Sequence, residues 1–352
     1  MNINFKIMVI NPVLILCIFL NFISCKNDFQ KRKWFLSVKN CNVFPIKKLV
    51  KQGFNINCQN NLGDTALHIA VLKKCRNIIR FLLKNGANPN IKNFANRTVF
   101  EIVIKKKLLN IFKQLISTDK ICRKKSEIVF LNASKKNDIK TVDFFINAGI
   151  NINIKNKHGI TPLIWACFKN NIKIAELLIQ KGADVNVVDN VYSSALMYAS
   201  IAGNYKIVNL LIKAKANVNL KGKKRGRTAL MFAAREGYFN IVNALIKAGA
   251  FINDKMTFGY SKGKTALMFA ARENYLNIVK LLIYKGANVN QKDDEGKTAL
   301  IYAVNKGSKK LVKILLIHSR NINSKDIYGN TALQYAIKSR RTNIINMIKK
   351  YL

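Results

Sequence analysis

Between Gly263 and Asn290 the apolar positions fall into two short helical patterns separated by a polar break. Thr265 suits a helix N-cap, its hydroxyl accepting a free backbone N–H, and an apolar run follows at once. Leu267, Ala270 and Ala271 give this first helix one small, apolar side, and Asn274 and Tyr275 interrupt it. Ile278, Leu281 and Leu282 then recur at i, i+3 and i+4, which predicts a second amphipathic helix with Leu281 and Leu282 in its core face. Gly286 follows the last periodic residue, as a left-handed C-cap glycine does.

Such a helix pair cannot bury both apolar faces alone, and the chain supplies copies to stack on either side. Thr298-Ala299-Leu300 begins a copy 33 positions after Thr265, and Thr331-Ala332-Leu333 another 33 beyond. Thr228-Ala229-Leu230, Ser194-Ala195-Leu196, Thr161-Pro162-Leu163 and Thr65-Ala66-Leu67 precede it in the same frame. The fullest copy reads Thr65-Ala66-Leu67-His68-Ile69-Ala70 and closes at Gly86-Ala87-Asn88. A period near 33 with a T-P-L-H-x-A core marks a stacked helix–turn–helix array, and in these motifs the chain resembles the ankyrin-repeat family. The resemblance implies an all-α solenoid of about nine to ten repeats with short finger loops. It also implies that His68 bonds Thr65 and neighbouring backbone as a structural residue. Ile164, Met197, Met231, Met268, Ile301 and Gln334 stand in that place elsewhere.

In chain order, residues 1–24 read as an address. Lys6 precedes an apolar run from Ile7 to Ser24, broken by Pro12, Asn11 and Asn21, which fits a secretory signal better than a membrane-spanning helix. The ending Phe22-Ile23-Ser24-Cys25 is similar to a bacterial lipobox, with Phe22 in place of the usual Leu. That likeness implies cleavage before Cys25 and lipidation of Cys25; the alternative is an ordinary signal peptide or uncleaved anchor. Residues 25–33 read as a polar tether, and 34–352 as the solenoid. Within it, 34–57 and 93–153 are degenerate, 61–90 and 157–323 are clean, and 327–352 is a C-terminal cap. Thr98-Val99-Phe100-Glu101 is a poor match to the motif, and residues 117–124 carry no signal. Thr228 to Thr265 is 37 positions, so four extra residues lengthen the loop around Phe258 and Tyr260, two aromatics well suited to contact a partner.

Composition changes the picture in two respects. The formal charge is +44, which suits an anionic partner. Lys dominates it, scattered over every repeat beside abundant Asn and Ile, a pattern that an A+T-rich coding sequence produces without any dedicated surface. The seven cysteines form no C-x-x-C pair, and with only His68, His158 and His318 no zinc spacing exists. No Cys occurs after Cys167, so a disulfide framework is not expected and most thiols read as small buried apolar groups. Gly259-Tyr260-Ser261-Lys262-Gly263-Lys264-Thr265 has three residues between its glycines where a phosphate-binding loop needs four. Gly296-Lys297-Thr298 shows the same G-K-T arising from the repeat turn. Single carboxylates such as Glu176, Glu236 and Glu273 make no catalytic set, so the chain reads as a non-enzyme with no cofactor or metal.

By the resemblance, a protein partner lies on the concave side, along finger turns and the exposed ends of the first helices. The positions so implied are Lys224, Arg225, Arg227, Arg235, Lys262, Lys264, Arg272 and Lys297, with Phe258 and Tyr260 from the long loop. The fifth repeat adds Lys157, His158, Phe168 and Lys169. The expectation is a monomeric, exported interaction scaffold in a bacterial envelope, periplasmic or surface, or alternatively secreted. The alternative function is binding of an anionic polymer (nucleic acid, glycosaminoglycan or anionic lipid) through the basic surface, with nucleic acid disfavoured for an exported chain.

Overall fold

The computed structural model describes residues 28–352 except 223–225 and 260–261. The apolar N-terminal run and Cys25 lie outside the described residues. Twenty helices occur among those described, and they are arranged as ten pairs. The first helices of the pairs are α1 (residues 28–39), α3 (Ala66–Lys73), α5 (Val99–Lys105), α7 (Lys120–Lys135) and α9 (Pro162–Phe168). They continue as α11 (Ala195–Ile201), α13 (Ala229–Glu236), α15 (Ala266–Glu273), α17 (Ala299–Lys306) and α19 (Ala332–Lys338). The second helices are α2 (Val43–Lys51), α4 (Arg76–Lys84), α6 (Leu109–Thr118), α8 (Ile139–Asn147) and α10 (Ile172–Gln180). They continue as α12 (Tyr205–Lys213), α14 (Phe239–Lys247), α16 (Leu276–Tyr284), α18 (Lys309–His318) and α20 (Thr342–Lys349). No strand occurs among the described residues; isolated bridges pair Gln59 with Thr65 and Val188 with Ser194.

Two compact units result. One comprises the described residues up to Ser126 with Asn147–Gly149, the other Glu127–Ile146 with Ile150–Leu352. In the second unit the first helices α9, α11, α13, α15, α17 and α19 stack in succession, and α10, α12, α14, α16, α18 and α20 stack behind them. In the first unit α3 packs on α4 and α5, and α6 on α4 and α5.

The caps that start the first helices are the predicted Thr and Ser residues. Thr65, Thr98, Thr161, Ser194, Thr228, Thr265 and Thr331 each accept the backbone N–H three residues on. Thr298 holds the same extended geometry without that bond. The third repeat is better formed than its sequence suggests, because Glu101 returns a bond to the Thr98 N–H at 2.9 Å and closes a capping box. Residues 28–33, read as part of a polar tether, belong to α1, whose Trp34 is buried with its ring 5.0 Å from that of Phe54. His68 is fully buried; its Nδ1 lies 2.9 Å from Thr65 Oγ1 and its Nε2 3.1 Å from the Arg97 carbonyl. A carbonyl can only accept, so Nε2 carries the proton and Nδ1 accepts from the Thr65 N–H.

Ile278, Val279 and Leu282 form the buried side of α16, while Leu281 is half-buried. This corrects the placement of Leu281 in the core. Gly286 is left-handed (φ +91°), directly after the Lys285 cap. The tight turn between paired helices also uses a left-handed residue, and at Gly237 (φ +84°) a Cβ would come within 2.6 Å of the Tyr275 ring. The many asparagines have a structural use as well. Asn253 Oδ1 accepts the Asn288 N–H at 2.8 Å while its Nδ2 donates to the Gly286 carbonyl at 3.1 Å, tying consecutive repeats. Asn186 and Asn219 accept from Asn217 and Phe251 in the same way.

The cysteines depart from expectation at one place. Cys41 and Cys75 form a disulfide linking the first two repeats, with Cα atoms 5.4 Å apart. Their separation of 34 puts both at equivalent helix-to-helix turns of neighbouring repeats, a coincidence of register that spacing rules for compact cysteine frameworks do not detect. Cys122 and Cys167 are buried free thiols, and Cys58 is half-buried.

Candidate functional site

Three finger turns of the second unit are built on one residue type. Five positions before the helix cap, Asp189, Asp293 and Asp326 each use Oδ1 to accept two backbone N–H groups of their own turn. The other carboxylate oxygen needs a donor, and a tyrosine four residues after the cap supplies it. Tyr198, Tyr302 and Tyr335 donate to Asp189, Asp293 and Asp326 at 2.7, 2.5 and 2.6 Å. Where the turn residue is Asn60, Asn93 or Asn156, an amide nitrogen replaces that oxygen, and Ile69, Ile102 or Trp165 stands in place of tyrosine. Burial pushes the three phenols up, and the bond to the neighbouring Asp adds to the effect.

Four of the cations expected to meet a partner are engaged within this surface, as is the neighbouring Lys221. Lys262 pairs with Asp294 at 2.7 Å, Lys297 with Glu295 at 2.6 Å and Lys221 with Asp254 at 2.8 Å. Arg235 and Arg272, which fall at matching places of the adjacent helices α13 and α15, pair with Glu236 and Glu273 at 3.5 and 2.7 Å. Arg227 lies 5.5 Å from the Phe232 ring centre. Lys264 departs from the expected surface position: it is 7% exposed, with Nζ 5.1 Å from the Tyr302 ring, and burial lowers its pKa. Phe258 is 59% exposed in the lengthened loop. Cys25, Lys224, Arg225 and Tyr260 lie outside the described residues.

A feature that sequence reasoning passed over dominates the same side. The fourth position after the cap is aromatic in six consecutive repeats: Trp165, Tyr198, Phe232, Phe269, Tyr302 and Tyr335. Phe269 and Tyr302 are buried, whereas Trp165 and Tyr198 are half-buried. Phe168, 39% exposed, joins the last two into a cluster, edge-on to Tyr198 at 5.5 Å and 6.3 Å from Trp165. Lys135 Nζ stands 4.6 Å from the Trp165 ring and Lys169 Nζ 5.1 Å from the Phe168 ring. Of these only Phe168 and Lys169 had been implied as contact positions. The signal for the others was available as an aromatic recurring at one register position, against a background in which the motif asks for none.

Profiles described as Ankyrin repeats (3 copies) match residues 100–189, 188–256 and 267–351, and one described as Ankyrin repeats (many copies) matches residues 49–103. The chain belongs to the ankyrin-repeat family. No curated protein matches it. Ankyrin repeats make this a protein–protein interaction scaffold. In this ankyrin array the Trp165–Phe168–Tyr198 cluster has the chemistry of an interface anchor. Its rings are large and rigid, and its rim is cationic. A lysine over a ring leaves its other N–H donors for a carboxylate, so acidic and apolar groups of one partner can be taken together. Among the described residues no group of His, Cys, Asp or Glu is arranged to hold a metal ion.

Proposed function

We propose that this ankyrin protein is exported and holds a protein partner on the finger side of its second unit, anchored at Trp165, Phe168 and Tyr198. The observation that carries the reading is the aromatic cluster with its two lysines. There Phe168 is exposed, and among the described residues Lys135 and Lys169 form no ion pair with a carboxylate. The partner it suits is a segment presenting apolar or aromatic side chains next to Asp or Glu. The finger turns behind it are fixed by the Asp–Tyr bonds, so little ordering is required on binding.

Export is supported from two directions. The N-terminal run ending at Cys25 has the form of a signal, and the Cys41–Cys75 disulfide is of a kind that persists in oxidising compartments. Lipidation at Cys25 would hold the chain at the envelope as a lipoprotein, and cleavage without lipid would release it. Labelled palmitate entering the wild type but not Cys25→Ser supports the first; label in neither rejects it.

The test of the binding surface is capture of the partner from envelope and culture fractions of producing cells. Wild type and Lys280→Ser are expected to retain one discrete partner, and the pair Trp165→Ser with Phe168→Ser to lose it. Retention by the double variant contradicts the assignment.

A further inference from the structure

After Asn204, cations and carboxylates share the finger side, whereas the back of the array carries cations alone. After Asn204 the chain holds seven carboxylates. Glu236 and Glu273 end first helices, and Asp254, Asp293, Asp294, Glu295 and Asp326 lie in the turns leading to them. None lies on α12, α14, α16, α18 or α20, or in the turns that follow these second helices. The same segments carry eleven lysines and Arg320. Lys206, Lys213, Lys247, Lys280, Lys309 and Lys313 are all exposed, and no ion pair involves them among the described residues. A lysine-rich composition accounts for the lysines; it does not account for carboxylates confined to the opposite side.

These five helices pack side by side, α12 on α14, α14 on α16, α16 on α18 and α18 on α20. At about 8–10 Å between neighbouring axes the carboxylate-free face extends roughly 35–40 Å. Bulky apolar side chains stand out of the same face. Tyr205 and Phe239 project from the first residues of their helices, Tyr284 (81% exposed) and Ile317 from the last turns, and Phe251 from a following turn. Between α12 and α14 a groove of about 300 Å³ is lined by Tyr205, Asn209, Lys213, Asn243 and Lys247.

We infer that this back face docks on a bilayer containing anionic phospholipid. Lysine ammonium groups on flexible stems reach headgroup phosphates while their methylenes and the neighbouring rings settle at the interface. The groove between Lys213 and Lys247 takes one headgroup. Two observations favour lipid over nucleic acid. Eleven of the twelve cations are lysine, where duplex recognition favours the bidentate guanidinium. Ile317 and Phe251 are apolar groups for which a phosphodiester backbone has no complement. The surface is separate from the aromatic cluster, so it stands or falls independently of the proposed partner.

The test is co-sedimentation of the full chain with vesicles of neutral lipid alone and of neutral lipid with one-third phosphatidylglycerol. The apolar run Ile7–Ser24 can enter bilayers of any charge, so the readout is the ratio of anionic to neutral binding. The ratio is expected to be high, to fall as salt rises, and to drop by at least about tenfold in Lys309→Glu/Lys310→Glu/Lys313→Glu. Lys306→Glu, at the exposed end of α17 on the finger side, is expected to leave it unchanged, with circular dichroism melts showing that both variants fold. A ratio near one in the wild type, or an unchanged ratio in the triple variant, overturns the inference. Duplex DNA bound as tightly at the same salt and lost in the same variant would replace the lipid assignment.

Discussion

His68 joins three groups of the first unit while carrying no net charge: it accepts from Thr65 and donates to the carbonyl of Arg97 in the next repeat. Burial lowers its pKa below the ordinary 6.5, outweighing the opposing pull of the Arg97 carbonyl and of Asp64. The folded state therefore favours the neutral ring. Its contribution is fully present above pH 6.5 and is lost as the pH falls through the lowered value, when protonation turns the Nδ1 acceptor into a donor facing the Thr65 N–H. The last repeat shows how to remove the titration without removing the bond, since Gln334 accepts the Thr331 N–H at 2.7 Å. Melting temperature measured from pH 7.5 to 5 is expected to fall more steeply for the wild type than for His68→Gln; parallel slopes would contradict the assigned tautomer. At Lys264 the residue scale works the other way. A charged type in a turn reads as exposed, yet Lys264 is buried, with its Nζ 5.1 Å from the ring of Tyr302 in the following repeat.

At the scale of the element, the apolar register decides stability. Leu282 is fully buried, so Leu282→Ala is expected to cost about 2–5 kcal/mol through the cavity it leaves. Leu281→Ala, at a half-buried position, should cost clearly less in the same denaturant titration; equal costs would mean the α16 register is shifted. The existence, order and caps of the clean repeats were legible because Thr or Ser, a small apolar run and a closing glycine recur at nearly fixed spacing. The choice between Leu281 and Leu282 was not, because adjacent leucines at i+3 and i+4 fit the same periodicity and differ only in how α16 is rolled against its neighbours. The third repeat was underrated for a related reason: Glu101 caps as well as histidine does but does not match the motif letter. The aromatic row was legible in principle, and the pairing of Asp with Tyr nine residues on is visible in the sequence at 189 and 198, 293 and 302, and 326 and 335. Charge draws the eye away from that row, and four of the charged positions, Arg235, Lys262, Arg272 and Lys297, pair with carboxylates.

Across the whole molecule, one covalent tie and one asymmetry stand out. The Cys41–Cys75 bridge closes a loop of 34 residues, and reducing it is expected to lower the stability of the first unit by about 2–4 kcal/mol. Mass spectrometry of an unreduced digest should recover the linked peptides from protein purified from its own host, while free thiols at both positions would remove the structural support for export. The asymmetry is chemical: aromatic rings and paired charges on the finger side of the second unit, unpaired lysines and projecting rings on its back. Charge alone had suggested composition as its source, because a sequence shows how many lysines there are and not which face lacks carboxylates.

The measurement that bears most directly on this two-sided account is photo-crosslinking in producing cells from a diazirine residue at position 168 and, separately, at position 284. The account predicts a discrete protein adduct from 168 and lipid adducts from 284. Protein adducts from 284 with none from 168 would contradict it, placing the partner on the lysine-rich back of the array.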